Sequence, residues 1–216
     1  MNYPSPQYYE NRQRRALRSA QAAVPVLVKL FEPQSVLDVG CGTGEWLAAL
    51  REGGINDLCG IEHAPAFSAN LAVPRGLLTT LDLSDPFRLQ REFDLVLCLE
   101  VAQFLPRESA STLVESLVRH AKTVIFSAAV PGQGGEGNSN PQWPSYWAEL
   151  FSRAGYVAED SLRPLLWLKA DIAWWYRQNI IVYRASSQPM RAGRGGDTKI
   201  WPLPLIHPGW FGHEPS

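Results

Sequence analysis

The chain has little net charge, no cysteine pair at metal-ligand spacing and no long apolar run. Lys and Arg total 20 against 21 Asp and Glu, a formal net charge of -1. A protein that grips a polyanion by bulk electrostatics carries a basic excess, so nucleic acid is not an expected partner. The one basic run, "NRQRRALR" from Asn11 to Arg18, reads as the solvated face of a helix. Cys41, Cys59 and Cys98 are odd in number and far apart. They read as buried thiols in a reducing compartment, which points to the cytoplasm, and no metal site is expected. No stretch approaches the ~20 consecutive apolar residues of a membrane span. The opening "MNYPSPQYYE" lacks the basic-then-apolar pattern of a signal peptide, so no membrane partner is expected either.

The composition is globular, 45% hydrophobic and 19% charged, in 216 residues that suit one domain. Residues 7–31 read as helical, with a break or restart at Pro25. Five apolar runs read as strands: "SVLDV", "DLCGIE", one within "GLLTTLDLSD" ending near Asp82, "FDLVLCLE" and "KTVIFSA". Between the last two, "RESASTLVESLVRH" repeats apolar residues at Leu113, Val114, Leu117 and Val118, a helical stripe. "GYVAED" and "NIIVYRAS" read as closing strands with no good helix between them. The alternation predicts an α/β fold: a doubly wound, mostly parallel, Rossmann-like sheet of seven strands with helices on both faces and an antiparallel last strand. Residues 1–185 form the domain, with an N-terminal helical cap. Residues 186–216 form a Pro- and Gly-rich loop and a tail that packs on the same domain.

"LDVGCGTG" is the most specific signal. Asp38 ends the first strand, and Gly40, Gly42 and Gly44 follow in a turn that opens a helix. Glycines serve where the chain turns tightly and a ligand touches the backbone. A dinucleotide fingerprint, G-x-G-x-x-G, needs glycine at position 45, which is Glu. A pyrophosphate there would also face two negative charges, Asp38 and Glu45, whereas a cationic ligand would not be repelled.

These residues carry a resemblance. D-x-G-x-G-x-G after a first apolar strand resembles motif I of the class I S-adenosylmethionine-dependent methyltransferases. The resemblance spans residues 20–185 and implies S-adenosyl-L-methionine as cofactor. Glu62, 22 residues after Gly40, matches the acid that accepts both ribose hydroxyls. Asp82 with Leu83 matches the position that recognises adenine. "FDLVLCLEVAQFLP" matches the fourth strand, which puts Leu99 and Glu100 beside the methionine part. Cys41 lies within the glycine loop, and His63 sits at the cofactor edge or on the surface. Plainer readings exist: Asp38 and Asp82 as turn residues, Glu62 as a surface acid.

A second loop, "GQGGEGNSNPQWPSYW", follows the fifth strand. With "WWYRQN" it resembles a subgroup of small bacterial methyltransferases that have a G-Q-G-G-x-G-H loop followed by Q-W-P-x-Y-W. The chain departs from that pattern at Asn138, where histidine is expected, and at Gln103 and Phe104, where "EVAEHLP" is commoner. In the resemblance this rim holds the methyl acceptor, so Asn138, Asn140 and Gln142 are expected to position a polar substrate. His207, in the apolar tail "LPLIHPGWFG", is a further candidate base. The expected acceptor is a small molecule, a hydroxyl or amine of sugar or natural-product type, in a monomer or a homodimer. One rival is a cofactor-binding protein that lacks transferase activity or puts the cofactor to other chemistry. Another is a nucleic-acid methyltransferase. Against the latter, "CLEV" is not the [DN]-P-P-[YF] run of amino-methylating DNA enzymes and no Pro-Cys nucleophile is present.

Overall fold

Strand β1 (Ser35–Val39) shows how the sheet is built. Its side chains alternate: Val36 enters one apolar core and Leu37 and Val39 the other. Strand β4 (Leu95–Leu99) does the same, with Leu95, Leu97 and Leu99 on one face and Val96 and Cys98 on the other. A strand covered on both faces is apolar throughout, which is why these runs show no polar alternation. The computed structural model describes residues 6–63, 70–135, 137–186 and 202–212.

The remaining strands are β2 (Asp57–Glu62), β3 (Leu78–Thr80), β5 (Thr123–Ser127), β6 (Tyr156–Glu159) and β7 (Ile181–Ala185). They form one seven-stranded sheet in the order β3-β2-β1-β4-β5-β7-β6. All pairings are parallel except those of β7, which runs antiparallel to β5 and β6. Helices α1 (Pro6–Phe31), α2 (Glu45–Glu52) and α6 (Trp174–Asn179) contribute to the first core. Helices α3 (Ala110–Val118) and α4 (Pro144–Arg153) contribute to the second. The fold class expected from the sequence is the one observed.

Three local expectations are corrected. Helix α1 runs through Pro25 without a break. Pro25 and Gln21 lie on its exposed side, so the carbonyl that loses its donor is on the solvated face. Strand β3 ends at Thr80 rather than near Asp82, because Asp82 accepts from the Ser84 N–H (2.9 Å) and starts a turn. Two short helices, α5 (Arg163–Leu166) and α6, lie between β6 and β7, where none was expected. Both are shorter than the window over which an apolar stripe becomes visible.

Strand order reverses between β1 and β4, leaving a crevice at their carboxyl ends, where α/β proteins bind ligands.

Candidate functional site

The loop after β1 is clasped to β2. The Gly40 and Cys41 N–H groups both donate to the Ile61 carbonyl, at 2.8 and 3.1 Å. Gly40 has φ +77°, and a Cβ there would lie 2.2 Å from Val101 Cγ2, so only glycine lets β4's exit pack this closely. Gly44, at φ +97°, turns the chain into α2.

The cavity at this edge is lined by Asp38, Gly40, Cys41, Gly42, Thr43, Glu45 and Trp46 of the first loop and α2. Glu62, His63 and Leu83 close one side, and Leu99, Glu100, Val101, Phe104 and Leu105 another. Gln13 and Ala16 of α1 and Tyr176 of α6 complete it. Asp38, Glu45, Glu62 and Glu100 are all buried. Burial pushes the Asp38 carboxyl well up from its ordinary range, and the charges of Glu62 and Glu45 add to the effect. Burial also raises Glu45, against the lowering effect of the Thr43 hydroxyl that donates to it. Glu62 is raised by burial, opposed by the His63 and Gly42 N–H groups that donate to it at 2.7 and 2.8 Å. Those two bonds fall on different oxygens and orient the carboxylate. Each oxygen keeps a second acceptor site. Burial, then the charge of Asp38, pushes the Cys41 thiol well up, so it stays protonated and unreactive.

Glu100 follows β4 in a left-handed conformation, φ +58°, rare for a residue with a side chain. Its N–H donates to the Ser127 carbonyl (2.9 Å) and hydroxyl (3.1 Å). Its carboxylate accepts from the Asn179 amide at 3.0 Å and, at 3.4 Å, from Gln103. This turn places Val101 against Gly40.

The structure therefore brings Asp38, Gly40, Cys41, Gly42, Glu62, His63, Leu83, Leu99 and Glu100 to one cavity. Gly44 sits at the helix start beside it. Asp82 is not among the lining residues; the turn it caps presents Leu83 instead. Asn138, Gln142 and His207 are not brought to the cavity. Asn138 donates to the Gly134 carbonyl within its own loop. Gln142 donates to Asn140 Oδ1 (2.9 Å) and lines a separate groove with Trp143, Tyr146 and Arg107. Short polar side chains in loops find nearby partners first. The His207 ring is buried: Nδ1 accepts from the Gly209 N–H (3.0 Å), which leaves Nε2–H to donate to the Trp167 carbonyl (3.1 Å). The ring has this structural setting because the tail folds over α6 instead of entering the crevice.

Gln13, Thr43, Trp46 and Tyr176 were missed. Trp46 was legible, since it falls in the first turn after the glycines. Tyr176 was not, because only the packing of α6 against α2 brings it there, with its ring edge-on to Trp46 at 5.3 Å.

A family profile described as "Methyltransferase domain" matches residues 8–166. The chain belongs to this methyltransferase family. S-adenosylmethionine is therefore the methyl donor of this methyltransferase. No curated protein sequence matches the chain. Among solved structures it is similar to DesVI of Streptomyces venezuelae (TM-score 0.57, 16% identity, 78% of this chain and 93% of that one). It is also similar to the sugar N-methyltransferase KedS8 of Streptoalloteichus sp ATCC 53650 (0.58, 20%, 83% and 91%). A third is the magnesium protoporphyrin IX methyltransferase ChlM of Synechocystis PCC 6803 with bound SAH (0.52, 20%, 77% and 83%). At these identities the likeness is one of fold.

The methyltransferase's residues fit this cofactor. Asp38 Oδ2 and the Trp46 indole Nε1 are buried with no hydrogen-bond partner among the described residues. An acceptor and a donor left open in one cavity match a ligand that carries both an ammonium and a carboxylate. Neither Lys nor Arg is among the lining residues, so the carboxylates favour a sulfonium cation.

Proposed function

We propose that this methyltransferase acts on a hydroxyl or amine of a small molecule of sugar or natural-product type. The observation that carries the reading is the acid-lined cavity at the strand edge, with a buried carboxylate oxygen and an indole N–H awaiting partners. The fold it shares with a sugar N-methyltransferase supports the acceptor class.

In this reading Glu62 accepts the ribose hydroxyls on the lone pairs its backbone donors leave open, and the turn of Asp82 and Leu83 borders the adenine. Asp38 and the loop from Gly40 to Gly44 hold the methionine end, next to Leu99 and Glu100. The cofactor supplies an activated methyl group on a sulfonium, so the protein's task is alignment and exclusion of water. Phe104, Leu105 and Ala16 give the cavity an apolar wall, and Gln13, which also lines it, is held by bonds to Thr43 Oγ1 and the Asn70 carbonyl, both 3.0 Å. A neutral amine needs no general base, which suits a cavity whose buried carboxyls are already committed to the cofactor.

The test is calorimetric titration with S-adenosylmethionine, followed by mass detection of methylated products from pools of amino sugars and phenols. Glu62→Ala is expected to weaken cofactor binding at least about tenfold, since each hydrogen bond to a charged group contributes about 1.5–3 kcal/mol. No heat of binding in the wild type would overturn the reading. Methylation confined to nucleic acid would overturn the acceptor class.

A further inference from the structure

Behind the wall of the cavity lies a chain of side-chain amides that links three distant parts of the sequence. The Asn179 amide, at the end of α6, donates to Glu100 Oε1 and to Gln133 Oε1 of the second glycine loop, both at 3.0 Å. Its own oxygen accepts from Gln178 at 3.0 Å. Gln178 Oε1 in turn accepts the His207 N–H of the tail at 2.8 Å. Asn179, Gln178 and Glu100 are all buried. Satisfied polar networks of this kind fix one geometry, because every alternative leaves a buried group unpaired.

Glu100, at the head of this network, has an unusual backbone geometry. A left-handed conformation on a residue with a side chain persists only where its surroundings over-determine it. Here the Glu100 N–H is fixed by Ser127 and its carboxylate by Asn179. We propose that Asn179 is a positioning residue for the cofactor site. Its amide, held by Gln133 and Gln178, anchors the Glu100 carboxylate away from solvent and so maintains the turn that forms the wall from Leu99 to Val101. The proposal rests on the cofactor reading above. It gives the second glycine loop a role: through Gln133 it braces the wall of the cofactor cavity from behind.

The test is titration of the full chain with S-adenosylmethionine between about pH 6 and about pH 8.5, in four forms: wild type, Asn179→Asp, Glu100→Gln and the double variant. Asn179→Asp keeps the shape but sets a carboxylate against Glu100. It is expected to weaken binding at least about tenfold near pH 8, relative to wild type. The loss should shrink on acidification, as the two carboxyls come to share a proton. Asp38, Glu45 and Glu62 line the same cavity as Glu100 in all four forms, so the pH dependence that Asn179→Asp adds is taken relative to wild type; Gln133 and Gln178, the other partners of Asn179 named here, are uncharged. On the Glu100→Gln background the same substitution should change affinity less than about threefold, because the amide introduced at 100 donates to the carboxylate introduced at 179. Equal losses on both backgrounds, a pH-independent loss or no loss would overturn the proposal. A purely structural role would lower thermal stability without background dependence in affinity. Should Asn179→Asp fail to fold, the double variant against Glu100→Gln decides: more than about tenfold weaker binding overturns the proposal, and near-equality supports it. A wild type that binds no cofactor overturns the functional reading and this one together; a binding wild type with insensitive variants overturns this one alone.

Discussion

Gly40 and Val101 touch so closely that a methyl group on Gly40 would lie 2.2 Å from Val101 Cγ2. The contact ties the first loop to the turn after β4, two sides of the cavity at the strand edge. Gly40→Ala adds that methyl at φ +77°, where strain alone costs about 1–3 kcal/mol. We expect a folded protein by circular dichroism, a lower urea midpoint and cofactor affinity reduced at least about tenfold, since 1.4 kcal/mol is about a factor of ten. Unchanged affinity in calorimetry would separate this contact from the site.

The clustered acids set a pH dependence. Burial raises Asp38, Glu45 and Glu62 in the folded protein above their unfolded values. Between the two values the native state holds more protons than the unfolded chain. Stability of the cofactor-free protein is therefore expected to fall as pH rises from the ordinary carboxylate range through the raised values. A cation in the cavity offsets that repulsion, so the melting-temperature gain from S-adenosylmethionine should grow with pH. Scanning calorimetry showing a gain that shrinks as pH rises would contradict this account.

Arg163 is 1% exposed and makes a two-pronged pair with Asp160, with Nε donating at 2.7 Å. Its Nη1 donates to the Leu203 carbonyl at 2.8 Å, fastening the tail to α5. Asp160→Ala strands a buried guanidinium, which costs about 3–5 kcal/mol. Chemical denaturation should show a loss of that size; a loss under about 1 kcal/mol would mean the arginine finds water.

His207 should behave as a structural residue. Replacing it with Ala removes the acceptor for the Gly209 N–H and the donor to Trp167, each worth about 1–3 kcal/mol if left unsatisfied. Hydrogen exchange should show lost protection at Gly209 and Trp210. If instead the variant kept full protection and lost the neutral-pH limb of its pH–rate profile, the histidine would be a base after all.

The sheet and one side of the candidate site are readable along the chain. Runs such as "FDLVLCLE" are apolar because both faces of the strand are covered, and that signal is local. Asp38, Gly40 and Glu62 were legible because a turn at the end of a strand places its residues by chain geometry alone. The remainder depends on packing between segments far apart in the chain. Asn138 and Gln142 looked like substrate-facing amides, yet their hydrogen bonds go to Gly134 and Asn140, since loop amides take whichever partner folds nearest. His207 looked reactive because a histidine in a tail has no visible partners; the partners lie in its own turn and 40 residues back in the chain, at Trp167. Asn179 ends the "WWYRQN" run, which carries part of the resemblance but shows no role for it, because that role depends on Glu100, 79 residues away. Local periodicity and turn chemistry can be read along the chain, whereas the pairing of buried polar groups is settled only when packing removes water from them.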